Sequence, residues 1–291
     1  MKNISVFFAV LFIAVLLCSC STAPSAQIAA TTLPVYEFTV LLCQNTGISV
    51  CRLVTENVSC LHDYTLQANQ MRAIENANVV IISGADFEVF LHDVLSEKET
   101  VIDSSKDFPL LCGGHTHDNA EHDHHQENDP HIWLSISNAR IMARNIYAGL
   151  VQQYPQHKNT FDDNLDALEQ KFDTLEQYGQ QQLASLQCNE LITFHDGFAY
   201  LAESYNLHIL RAVEEESGSE ASARELKEII TLVEKNGLPA IFTETNGSAA
   251  AAEIICAETG IRYFPLDMAI SGNSYFDAMY HNIDTLKEAL G

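Results

Sequence analysis

The chain has 291 residues, 47% of them hydrophobic and 19% charged, a composition that belongs to a globular protein and excludes a disordered or fibrous one. Its formal net charge of −24 argues against a nucleic-acid partner, because phosphate would be repelled. An acidic surface instead draws cations toward itself.

Lys2 is followed by an apolar run from Ile4 to Leu17, then Cys18-Ser19-Cys20. A short basic start, an apolar stretch of this length and small residues after it make a secretory signal. The run is too short for a comfortable membrane span. Leu17 to Cys20 has the form of a lipobox, in which the signal is cut before a cysteine that then carries lipid. Cys20, preceded by small Ser19, is the expected lipidation site. Residues 1–20 are then the signal and Ser21 to Gln27 a short tether. The mature chain, about 270 residues, can bury one large core or two of ordinary size. Six cysteines remain in it: Cys43, Cys51, Cys60, Cys112, Cys188 and Cys256. Outside the cytoplasm they can form disulfides. None has the CxxC spacing of a zinc knuckle. The connectivity stays open, with Cys188–Cys256 suggested by their shared place in the C-terminal half.

From Gln27 the chain alternates short apolar runs with helical patterns. Ile28–Thr31 reads as a strand, and Leu33-Pro34 starts a helix through Leu42. Ile48–Val54 is β-rich, Leu66–Asn76 helical, and Val79–Ile82 a continuous apolar strand of the buried kind. Phe87–Leu95 reads as a helix and Val101-Ile102 as the start of a strand. Ser135–Tyr154 is helical and stops at Pro155. The longest periodic pattern comes next, with Phe161, Leu165, Leu168, Phe172, Leu175, Leu183 and Leu186 spaced mostly by three and four residues. A helix from Gln156 to Leu186 would be roughly 45 Å long. Gly179 inside it costs about 1 kcal/mol relative to alanine. The alternation then resumes: strand Glu190–Phe194, helix Gly197–Ser204 and strand Leu207–Val213. A capping box at Ser222 and Glu225 opens the next helix, which Gly237 stops. Strand Ala240–Thr243, helix Ser248–Thr259, strand Ile261–Pro265 and helix Tyr275–Leu290 complete the chain. Such alternation implies βαβ units and mostly parallel sheets. The expected fold is α/β: two parallel-sheet lobes, residues 21–155 and 188–291, joined by one long backbone helix over 156–187.

Between the fourth strand and the helix at Ser135 lies a segment of different character. His115, His117, His122, His124 and His125, five of the chain's 12 histidines, fall within the loop 114–126, interleaved with acidic residues. It has almost no apolar surface to bury and reads as a solvated, metal-collecting loop. Imidazoles and carboxylates are ligands for borderline divalent metals, Zn²⁺ above all.

Ligands in open α/β sheets bind where strands end, and two lobes place the default site in the cleft between them. His62 comes after the second strand, in Cys60-Leu61-His62-Asp63-Tyr64. His131 comes after the histidine-rich loop, in Asp129-Pro130-His131-Ile132-Trp133. His195 comes after the strand at Glu190, in Thr193-Phe194-His195-Asp196, and Asp267 after the strand at Ile261, in Pro265-Leu266-Asp267. Three imidazoles and one carboxylate would make a closed four-coordinate site of the kind Zn²⁺ prefers. Asp129, Asp196, Glu244 and Tyr64 are candidates to hold the ligands from behind. His92, His157, His208 and His281 belong to no such motif.

The His-Asp-Tyr at His62, the Asp-Pro-His-Ile-Trp at His131, the Phe-His-Asp at His195 and the Pro-Leu-Asp at Asp267 together resemble the metal-binding solute receptors of bacterial ABC transporters, the group that delivers zinc or manganese. The resemblance runs from about Ala26 to the C-terminus. It implies two lobes on a rigid backbone helix, with His62, His131, His195 and Asp267 holding the metal between them. The zinc-specific branch often carries a histidine-rich loop where this chain has one. Two positions depart from the family pattern. Leu61 stands where a proline usually precedes the first ligand. His195 stands where manganese members usually have glutamate, which moves the site toward nitrogen ligation and so toward zinc.

The expected function is capture of Zn²⁺ outside the cytoplasm, by a monomer held to the membrane through a lipid anchor, and delivery to an ABC transporter permease. Mn²⁺ is the alternative cargo. A secreted zinc hydrolase is the rival from another class, but the chain has no HExxH and a fourth ligand at Asp267 would close the site to water. A surface adhesin is a third reading, with no specific sequence support. Ligand imidazoles must be neutral, so affinity should fall as the pH drops below about 6.5.

Overall fold

The structure, a computed structural model, describes residues 26–58, 61, 64–111, 128–214 and 221–291. The signal with Cys20, the cysteines Cys60 and Cys112, His62, and the loop histidines His115, His117, His122, His124 and His125 lie outside the described residues.

The first lobe is built on strands β1 (Ile28–Ala30), β2 (Val50–Arg52), β3 (Val79–Ile82) and β4 (Val101–Asp103). All pair in parallel, in the order β2-β1-β3-β4. The inner strands β1 and β3 are apolar throughout and almost wholly buried, as strands covered on both faces must be. Helix α1 (Leu33–Leu42) has Pro34 in its first turn, where a missing N–H costs nothing. Helix α2 (Ala68–Asn76) precedes β3. The helix expected over Phe87–Leu95 is instead a 3₁₀ turn, Val89–Leu91, followed by a single helical turn, α3 (His92–Leu95).

Two helices bridge to the second lobe. Helix α4 spans Ile136–Gln153, and α5, the longest, spans Lys158–Leu183. At 26 residues α5 is about 39 Å long, shorter than the periodicity implied because it starts only after a 3₁₀ turn at Pro155–His157 and stops at Leu183, before Leu186. Arg140 of α4 lies 2.6 Å from Glu169 and 2.8 Å from Asp173 of α5, tying the two helices along their length. Gly179 has a packing reason: a Cβ there would sit 2.1 Å from the Tyr205 hydroxyl oxygen.

The second lobe repeats the first. Strands β5 (Glu190–His195), β6 (His208–Glu214), β7 (Ala240–Glu244) and β8 (Arg262–Leu266) are all parallel, in the order β6-β5-β7-β8. Between them run α6 (Ala199–Ser204), α7 (Ala223–Asn236) and α8 (Ala250–Thr259). The capping box forms as expected: the Glu225 N–H donates to the Ser222 hydroxyl and the Ser222 N–H to the Glu225 carboxylate. Gly237 ends α7 at φ +61°, a left-handed conformation that suits glycine. Cys43, Cys51, Cys188 and Cys256 are free thiols. The suggested Cys188–Cys256 disulfide is therefore not formed: the Cys188 thiol instead donates to the Glu190 carbonyl, 3.3 Å away and two residues along the chain.

The chain ends in α9 (Tyr275–Leu290), which packs back on α5. Phe38 of α1 meets Phe172 of α5 and Tyr275 of α9 edge-on, with ring centroids 5.3 and 5.0 Å apart. These residues belong to one continuous apolar cluster that includes side chains from both sheets. A shared core of this kind resists spontaneous motion of the lobes, so parting them takes work from outside the chain. The segment between β8 and α9 laces onto the first lobe by hydrogen bonds. The Trp133 indole N–H donates to the Met268 carbonyl at 2.7 Å, the Leu33 N–H to Ile270 at 3.1 Å, and Arg52 to Gly272 at 2.8 Å. Among the described residues, no helix is long and apolar enough to cross a membrane.

Candidate metal centre

In a sheet ordered 2-1-3-4 the connections leave in opposite directions from the two central strands, and the crevice at that reversal is where ligands bind. In the second lobe the central strands are β5 and β7, and their last residues are His195 and Glu244. Both side chains are buried. His195 Nδ1 lies 3.7 Å from Glu244 Oε1, beyond a good hydrogen bond but well within electrostatic reach.

The first lobe sends His131 to the same place. His131 leads into a 3₁₀ turn, Ile132–Leu134, whose apolar side chains are all buried. That burial anchors the turn and fixes where the preceding imidazole points. Asp129 then sets the ring: its Oδ1 accepts from the His131 backbone N–H at 2.9 Å and lies 2.8 Å from His131 Nδ1. A carboxylate can only accept, so Nδ1 carries a proton, and in the neutral ring that metal binding requires Nε2 keeps its lone pair. That lone pair faces the other lobe.

His131 Nε2 and His195 Nε2 are 3.4 Å apart, with their rings at 89°. For an N–H···N hydrogen bond the distance is long. Two imidazole nitrogens bound to one tetrahedral Zn²⁺ at about 2.0–2.1 Å would stand about 3.3–3.4 Å apart. The pair thus has the spacing of one edge of a tetrahedral zinc site, one donor from each lobe.

Asp267 comes directly after β8 and is half-buried. Its Oδ1 accepts from the Ala269 N–H at 2.7 Å, and its backbone N–H and carbonyl both bind the Asn282 side-chain amide at 2.7 Å. This holds Asp267 beside Met268, whose side chain borders the histidine pair. Among the described residues no group of three or more His, Cys, Asp or Glu side chains converges tightly enough to hold a metal. The structure therefore brings His131 and His195 together and does not join Asp267 to them; His62 lies outside the described residues. Among the described residues the Tyr64 hydroxyl donates to Glu56 at 2.6 Å and accepts from Gln70 at 2.5 Å. Burial first, and then the Glu56 carboxylate, push its phenol up to about 12.

Two residues of the site carry little or no mark in the sequence. Gly197 sits against the pair: a Cβ there would come within 2.7 Å of His195 Cδ2 and of Met268 Cε, and 3.0 Å of His131 Cε1. A glycine two residues after a strand-end histidine is the signal for such close approach. Tyr200 is the other, and nothing in its helical pattern distinguishes it from an ordinary core tyrosine.

A family profile described as "ZnuA: Zinc-uptake complex component A periplasmic" matches residues 28–289. The chain is 31% identical to a zinc-binding lipoprotein, AdcA, of Streptococcus pneumoniae, over 99% of its own length and 61% of that relative's. It thus spans about three fifths of this curated relative. It is also similar to the crystal structure of the Zn(II)-bound ZnuA-like domain of the same AdcA, with a TM-score of 0.76 and 29% identity over 90% of this chain and 98% of that one. The crystal structure of ZnuA itself aligns with a TM-score of 0.80 and 26% identity, over 91% of this chain and 100% of that one.

Proposed function

We propose that this chain, which belongs to the periplasmic zinc-uptake complex component A family, captures Zn²⁺ outside the cytoplasm and hands it to an ABC transporter permease. The observation that carries the reading is the facing pair His131 and His195, 3.4 Å apart at their Nε2 atoms, one from each lobe. His62 and Asp267 complete the set, giving three nitrogens and one oxygen around the cargo. Such a set favours zinc over Mn²⁺, which prefers oxygen. A metal held by both lobes bridges them, and the permease recovers it by parting them. Cys20 carries the lipid anchor, and the histidine-rich loop 114–126 raises local zinc near the cleft as a weak, multivalent collector. The protein acts as a monomeric binding protein rather than an enzyme.

Native mass spectrometry with zinc and manganese in competition tests the reading, on the wild type and on His195→Glu. The wild type is expected to take zinc. His195→Glu, which replaces a nitrogen donor by oxygen, is expected to shift the preference toward manganese. A wild type that prefers manganese would overturn the assignment.

A further inference from the structure

We propose that Tyr200 is a positioning residue for His131, acting from the opposite lobe. This deepens the zinc-receptor reading and rests on it. Tyr200 lies on α6, directly after the strand that ends in His195, and is 3% exposed. Its hydroxyl accepts from the Leu111 N–H at 2.9 Å and donates to the Asp129 carbonyl at 3.2 Å. Leu111 and Asp129 both belong to the first lobe, on either side of the histidine-rich loop. They are also joined to each other, the Asp129 N–H donating to the Leu111 carbonyl at 3.0 Å.

The consequence is a continuous chain of contacts. Tyr200 clasps the backbone of Asp129, and the Asp129 carboxylate fixes both the backbone and the ring of His131. The ring then faces His195, which stands on the element just before Tyr200. One unit of the second lobe, β5 with α6, therefore supplies one imidazole through His195 and steers the other through Tyr200. Separating the lobes removes both at once: His131 loses its facing partner, and Asp129 loses the hydroxyl that holds its carbonyl. Release of the cargo is then steeper than the loss of a single ligand would make it. Tyrosine suits the role because its ring fills the buried site while its hydroxyl both accepts and donates. Phenylalanine would keep the packing and lose both bonds.

The test uses the full chain loaded with zinc and measures zinc release to a chelator by stopped flow. Four proteins are compared: wild type, Tyr200→Phe, His131→Ala and the double variant. Tyr200→Phe is expected to speed release about tenfold, the lower end of what supporting partners of metal ligands contribute. In the His131→Ala background the same substitution is expected to change the rate by no more than about twofold, since the ring it steers is gone. Equal acceleration in both backgrounds would mean that Tyr200 acts on lobe packing alone, and no acceleration in the first would mean that it does nothing; either overturns the proposal. Should Tyr200→Phe fail to fold, Leu111→Pro removes the N–H that the hydroxyl accepts from and leaves the tyrosine in place. It is expected to speed release by a smaller factor, again only where His131 is present, and release unchanged from wild type would overturn the proposal. If His131→Ala binds zinc as tightly as the wild type, the zinc site itself is misassigned. If it weakens zinc while Tyr200→Phe shows no His131-dependent effect, only the role of Tyr200 falls.

Discussion

Replacing Asp129 isolates the contribution of the group behind His131. Asp129 is 6% exposed and His131 2%, so their contact is shielded from water. The Asp129 Oδ1 takes two hydrogen bonds from the same residue, at 2.8 Å from the ring and 2.9 Å from the backbone N–H. When Nε2 binds a metal, electron withdrawal makes the Nδ1 proton more acidic, so its bond to a carboxylate strengthens in the loaded state. Partners of this kind contribute about 10- to 100-fold in metal affinity, or about 1.4–2.7 kcal/mol. Asp129→Ala removes both bonds and the charge, and should reach the upper figure. Asp129→Asn can still present an oxygen to both donors without the charge, and should lose about tenfold. Because Asp129→Ala also strips a buried N–H of its acceptor, the fold itself should lose about 1–3 kcal/mol. Chelator competition reads the affinity, and melting of the metal-free proteins reads the stability, so the two effects separate. Wild-type zinc affinity in Asp129→Ala would refute the reasoning, because His131 would then bind without being held.

The packing and the loop carry three further expectations. Glu88 is buried and accepts from the Thr31 hydroxyl at 2.5 Å and from the Ser83 and Gly84 N–H groups at 2.7 and 3.0 Å. Glu88→Gln would turn an amide N–H₂ toward one of these donors and should cost about 1–3 kcal/mol in urea unfolding. Burial pushes the Glu88 carboxyl above its ordinary value of 4.5. Folding therefore takes up a proton above that pH, and the stability this group contributes is full below 4.5 and is lost as pH rises through its folded value. The gap between wild type and Glu88→Gln should accordingly narrow as pH rises, and a widening gap would contradict it. Gly179→Ala should gain about 1 kcal/mol in helix propensity yet lose about 1–3 kcal/mol to overlap with Tyr205, so a raised melting temperature would show that the helix accommodates the methyl. Deleting Gly114–Gln126 should leave one tight zinc ion and remove weaker ones in calorimetry; an unchanged stoichiometry would end the collector role.

The elements most legible in the sequence are those whose signals are local. The bounds of α1, β3 and α9 coincide with the expected ones, since a proline at a helix start or a short apolar run between polar neighbours needs no distant partner. Phe87–Leu95 departs from the single helix its spacing predicts, and the reason is non-local. Its side chain at Glu88 turns back to cap the end of β3, and Ala85 and Asp86 precede it with φ of +54° and +61°. That geometry interrupts a pattern that apolar spacing alone would continue. The site is legible in the same uneven way. His131 and His195 are reachable because strand ends and a tight polar motif mark them. Asp129 is reachable as the carboxylate nearest a ligand. Gly197 carries only the faint mark of a glycine just past a strand-end histidine, and Tyr200 carries none, because what it does depends on which groups the other lobe brings against it.

The repeated strand order explains why the two lobes contribute so differently. Each sheet has a crevice between its two central strands, and the same rule should make each a binding site. In the second lobe that crevice is lined by His195 and Glu244, both of them side chains with ligand chemistry. In the first lobe the equivalent position, beyond β1 and β3, is already filled: Thr31 and Ser83 directly follow those strands and both donate to the buried Glu88 carboxylate. An internal carboxylate there satisfies the strand ends and closes the crevice. With that crevice closed, His131 comes from farther along the chain, after β4, on a turn held by Asp129. A donor that does not sit on a strand needs outside support, whereas His195, as the last residue of β5, is placed by the sheet itself. The clasp of Tyr200 on Asp129 runs from the lobe whose imidazole the sheet places to the imidazole that a turn and a carboxylate place.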